Sequence, residues 1–127
     1  MSATLTFVTP PPGFAPLTNF TLEKIPGADG LYALRATDAP GTRMFVLDAG
    51  VHLTDYTPVL STEHCMALDL TAPEDAFVLV VVNPGEGETT ANLMAPIVVN
   101  AASGVCAQVI LDGQDWPLRA AFGARAA

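Results

Sequence analysis

Eleven prolines and ten glycines are scattered in short clusters along 127 residues, and they restrict the fold more than any other feature of the sequence. Thr9-Pro10-Pro11-Pro12-Gly13, Pro26-Gly27 and Ala39-Pro40-Gly41 cut the chain into brief apolar runs. A proline inside a helix removes a hydrogen bond and clashes with the preceding turn, so long helices and coiled coils are excluded. Short runs ended by turn residues at close intervals are the pattern of an all-β meander or barrel, not of βαβ units.

The runs carry strand periodicity. Residues 4–8 alternate polar and apolar, and so do 20–23, where Phe20 and Leu22 alternate with Thr21 and Glu23. Further strands are expected over 31–36 and 44–48. The segment 61–70 reads as a strand or a turn of helix with Ser61 able to cap it. Ala76-Phe77-Val78-Leu79-Val80-Val81-Val82 is apolar without interruption, which predicts a strand covered on both faces. In a small barrel one of those faces fills the interior, and a loop or neighbouring element must cover the other. Residues 97–99 and 105–111 flank Asn100-Ala101-Ala102-Ser103-Gly104 as a hairpin. The expected fold is a small antiparallel β-barrel-like domain over residues 1–119 with at most a short helix. Residues 120–127 lack pattern and read as a frayed tail.

Composition narrows the function. Half of the residues are hydrophobic and 14% are charged, so the chain can bury a core. Thirteen acids against five bases give a formal net charge of -8, which disfavours direct nucleic-acid binding and suits a basic partner. Cys65 and Cys106 lie in apolar surroundings and read as free thiols. No signal peptide or membrane span is legible, so a cytoplasmic protein is expected.

No catalytic set emerges. His52 with Asp55, or His64 with Glu63 and Cys65, matches no ligand or acid–base spacing, and neighbours on a strand face opposite ways. No enzyme activity, metal or cofactor is expected. Glu74-Asp75 is explained by a turn before the main apolar strand. Pro96 belongs at a strand start or edge, and Asn92 and Asn100, if buried, must find hydrogen-bond partners, which turns would supply.

Read as a string, Asn92-Leu93-Met94-Ala95-Pro96-Ile97-Val98-Val99-Asn100 resembles the FliW flagellar assembly factor family. Gln108-Val109-Ile110-Leu111, Pro12-Gly13-Phe14 with Phe20-Thr21-Leu22, and Met44-Phe45-Val46-Leu47-Asp48 with Asp55-Tyr56 are similar to further pieces of that family, in its order. Ala49-Gly50-Val51-His52 departs from it, standing where the family carries a proline–aromatic stretch. The resemblance implies a cytoplasmic β-barrel without catalysis that binds flagellin and the RNA-binding translational repressor CsrA. It also implies a partner-contact region at Asp55, Tyr56, Asn92, Leu93 and Met94. A small-molecule-binding barrel is the rival expectation, and a deep apolar cavity would distinguish it.

Overall fold

The computed structural model describes residues 2–8, 17–25, 27, 30–39, 41–49, 62–70, 76–84, 89–111 and 120–122. Its strands are β1 (Ser2–Phe7), β2 (Asn19–Lys24), β3 (Leu31–Ala36), β4 (Arg43–Asp48), β5 (Ala76–Pro84), β6 (Thr89–Asn100), β7 (Val105–Gln108) and β8 (Ala120–Phe122). Among the described residues a short helix, α1 (Thr62–Ala67), precedes β5. The sheet runs β5-β4-β3-β2-β1-β7-β6, and β6 pairs back onto β5, so seven strands close a barrel. The expected barrel with a short helix is what the chain forms.

Closure has one feature that the periodicity does not announce. β1 and β7 run parallel, with Thr6 opposite Val105 and Phe7 opposite Cys106. The other barrel pairings are antiparallel. Thr6 N–H donates to the Gly104 carbonyl at 3.0 Å and Val8 N–H to that of Cys106 at 3.0 Å, stitching the seam. β8 pairs with Thr89–Ala91 of β6, so the sheet continues past residue 119 into the segment expected to fray. Three residues can pair there because β6 is twelve residues long and outreaches β7.

Alternation sorts the apolar side chains into two cores. Leu5 and Phe7 of β1, Phe20 and Leu22 of β2, Leu34, Val46, Leu79, Ile97, Val99 and Cys106 fill the barrel. Phe7 and Phe20 meet edge to face, ring centres 5.2 Å apart. Leu47, Val80, Val82, Ala91, Leu93, Val98, Val109 and Leu111 point outward and pack with Leu68, just beyond α1, in a second core. Val80 and Leu79 thus lie in different cores, which explains the unbroken apolar run of β5. Each fully buried Leu, Ile or Phe contributes roughly 1.5–3 kcal/mol.

Cys106 is fully buried in the barrel, and burial pushes its thiol up to about 12, whereas Cys65 on α1 is half-buried. Thiolates, not thiols, are the nucleophiles. Iodoacetamide at about pH 8 is therefore expected to label Cys65 in the folded protein and to reach Cys106 only after denaturation, as read by peptide mass spectrometry. Equal native labelling would contradict the packed barrel. Because the folded thiol ionises above the unfolded one, its contribution to stability is complete at neutral pH and is lost in alkali on the way to pH 12.

Candidate partner-binding site

Of the five expected contact residues, Asp55 and Tyr56 lie outside the described residues, as does His52. Asn92, Leu93 and Met94 fall together on β6, where its ladder with β5 breaks. Leu79 is opposite Ile97 while Val81 is opposite Asn92, so Val80 alone faces the four residues 93–96. A bulge of this size bends the strand and re-aims side chains. Asn92 holds its shape, with Oδ1 accepting the N–H groups of Met94 and Ala95, both at 3.1 Å.

The far side of the bulge is satisfied by the chain after β7. Leu111 N–H donates to the Met94 carbonyl at 2.9 Å, Val109 N–H to that of Pro96 at 2.9 Å, and Gln108 Nε2 to that of Ala95 at 3.0 Å. Pro96, expected at a strand start or edge, is instead buried inside β6. The bulge makes this possible, because a residue that leaves the ladder needs no N–H to donate. Leu93 is 8% exposed and belongs to the outer core; Met94 is half-buried against it. Leu93 is thus spent on the outer core and the Asn92 side-chain oxygen on the backbone of the bulge, while Met94 stays half-buried beside them.

At the other end of the same string, Asn100 ties three elements together. Its Nδ2 donates to the carbonyls of Leu68 at 2.9 Å and Asp69 at 3.2 Å. Its Oδ1 accepts the N–H groups of Ala102 at 2.9 Å and Ser103 at 3.3 Å, shaping the β6–β7 hairpin. The turn-forming role expected of the asparagines is what both perform, and the long-range half of the Asn100 bonds is what sequence reasoning missed. An amide at the end of an apolar run signals a buried polar demand but not its partner.

Electrostatically the region is one-sided. Between Arg43 and Arg119 the sequence holds no lysine or arginine, and this span includes α1 and β5 to β7. Glu63 and Asp69 are exposed at the two ends of α1, beside exposed Met66. His64 is half-buried on α1. Among the described residues no three His, Cys, Asp or Glu side chains gather as a metal ion requires.

The family model for FliW protein matches residues 1–122. The chain belongs to the FliW family. Flagellar assembly factor FliW of Geotalea uraniireducens (strain Rf4) is 35% identical over 91 residues, covering 70% of this chain and 56% of that relative. The match thus spans little more than half the relative's length. FliW of Ruminiclostridium cellulolyticum (strain ATCC 35319 / DSM 5812 / JCM 6584 / H10) is 31% identical over 110 residues, covering 84% of this chain and 74% of that one. The crystal structure of a flagellar assembly factor FliW superposes with a TM-score of 0.84, at 24% identity, over 93% of this chain and 84% of that chain. At that identity the likeness speaks for the fold, and the fold agrees. Among the described residues no helix is long and apolar enough to cross a membrane.

Proposed function

We propose that this FliW-family barrel is a cytoplasmic, non-catalytic partner-switching regulator, binding flagellin and, when flagellin is scarce, the translational repressor CsrA. Membership of a family of flagellar assembly factors carries the reading. The base-free span from Arg43 to Arg119 supports its CsrA half, because an RNA-binding repressor presents cations that such a surface attracts. The switch is mass action: each partner removes free protein from the other. The packed interior, filled by Phe7, Phe20, Leu34, Leu79 and Ile97, argues against the small-molecule alternative.

The proposed contact region is Asp55, Tyr56, Asn92, Leu93 and Met94, with Met94 presenting its side chain from the bulge and Asn92 and Leu93 holding that bulge in place. Calorimetric titration with purified CsrA and, separately, monomeric flagellin is expected to show saturable binding to both, each weakening the other, with the CsrA affinity falling as salt rises. Tyr56→Ala and Met94→Ala are each expected to weaken at least one partner by roughly tenfold. Binding of the wild type to neither protein would overturn the reading. Unchanged affinity in both variants would move the contact surface elsewhere and leave the switch intact.

A further inference from the structure

Val80 alone stands opposite residues 93–96, so those residues lose the regular ladder to β5 and their backbone groups need other partners. Two of the carbonyls find backbone donors: Leu111 N–H serves Met94 and Val109 N–H serves Pro96. These donors come from alternate residues and skip Ala95, which lies between. A side chain fills that gap, with Gln108 Nε2 donating to the Ala95 carbonyl at 3.0 Å. The Ala95 N–H is held in the same manner, by Asn92 Oδ1 at 3.1 Å. Two side-chain amides therefore grip Ala95, one at each end, and Met94 is the residue immediately before it.

Gln108 reaches this point from the inner side of the sheet. It ends β7 opposite Ile97 and shares the face of Cys106, two residues back, and both of those neighbours line the inner core. Ala95 is buried, so water offers its carbonyl little compensation once the amide is gone. The peptide link after Ala95 would then turn towards another donor. Met94 cannot stay behind, because its N–H shares the Asn92 oxygen with that of Ala95.

We propose that Gln108 is a positioning residue for partner binding. With Asn92 it fixes the backbone of Ala95 and so holds Met94 in one conformation for the incoming protein. Gln108 acts through Met94 and makes no partner contact itself. The proposal rests on the reading of Met94 as a contact residue, and it adds to that reading the side chain that sets the geometry of the contact.

The test uses the isotope-labelled full chain, with Gln108→Met and Gln108→Glu, both close to glutamine in size and both without the donor at neutral pH. NMR should show the Ala95 amide and the Met94 methyl signals shifted, with the Met94 methyl more mobile, while the Phe7 and Phe20 ring signals of the inner core stay in place. Calorimetry with CsrA and with monomeric flagellin should show at least one affinity falling roughly tenfold in Gln108→Met. In a Met94→Ala background the same substitution should change affinity by less than about twofold, because the side chain it positions is gone. Unmoved Ala95 and Met94 signals would overturn the proposal and leave the partner switch standing. An equal loss of affinity in both backgrounds would overturn it too, since Gln108 would then act through the fold as a whole. Binding of the wild type to neither protein would remove the switch itself, and with it any contact for Gln108 to position.

Discussion

Replacing Asn100 with aspartate is expected to destabilise the protein by about 3–5 kcal/mol at neutral pH, although the two side chains have nearly the same shape. The amide is 7% exposed and uses both ends. Its oxygen accepts from Ala102 and Ser103, and a carboxylate would retain that half. Its nitrogen donates to the carbonyls of Leu68 and Asp69, and a carboxylate would turn a second lone-pair-bearing oxygen against them. Those carbonyls close α1. Leu70 N–H bonds to the Cys65 carbonyl at 2.8 Å and Asp69 N–H to that of Met66 at 3.2 Å, with Asp69 at φ 55°. This is a left-handed helix stop, and the Asn100 amide caps it from β6.

The loss should depend on pH with a definite sign. In the Asn100→Asp protein the new carboxyl is disfavoured as an anion by burial and by two facing carbonyls, so its folded pKa rises above the unfolded value. Protonated, it can donate one hydrogen bond again. The deficit relative to wild type should be smallest below the ordinary carboxylate range and should grow as pH rises through the folded pKa. Urea unfolding of both proteins between about pH 4 and 8 measures this. A deficit that does not change with pH, or one under about 1 kcal/mol, would mean that Asn100 does not cap α1.

Much of this architecture is legible in the residues. Leu5 and Phe7 alternating with Thr4 and Thr6, and Phe20 and Leu22 alternating with Thr21 and Glu23, state which face is inside, because strand side chains alternate. The unbroken run of β5 announces two cores. The parallel seam of β1 and β7 is not announced, since pairing between chain ends depends on how the whole barrel closes. Pro96 misleads for a related reason: a proline reads as an edge until a bulge removes the need for its N–H. For the site, the string from Asn92 to Asn100 is visible as a polar-ended apolar run. Which of its side chains are spent on the protein's own backbone is visible only in three dimensions.

Gly104 offers the sharpest test of that parallel seam, and Gly104→Ala is expected to destabilise the protein by about 2–4 kcal/mol. The residue has φ +83°, a left-handed conformation that disfavours any side chain by roughly 1–2 kcal/mol. A Cβ there would also lie 2.8 Å from the backbone carbonyl oxygen of Thr4. Neither side can yield easily. Gly104 N–H donates to the Asn100 carbonyl at 2.8 Å, and its own carbonyl accepts from Thr6 N–H at 3.0 Å. Relief would have to pull β1 from β7. Gly27 is the internal control, with φ +81° and open space where a methyl would stand: Gly27→Ala carries the backbone penalty without the clash. The difference between the two variants in urea unfolding therefore isolates the seam. Hydrogen exchange should show the Thr6 and Val8 amides, which bond across that seam, opening faster in Gly104→Ala and unchanged in Gly27→Ala. Equal destabilisation by both substitutions would show that β1 and β7 are not pressed together at Gly104, and the barrel would then have to close by a different pairing.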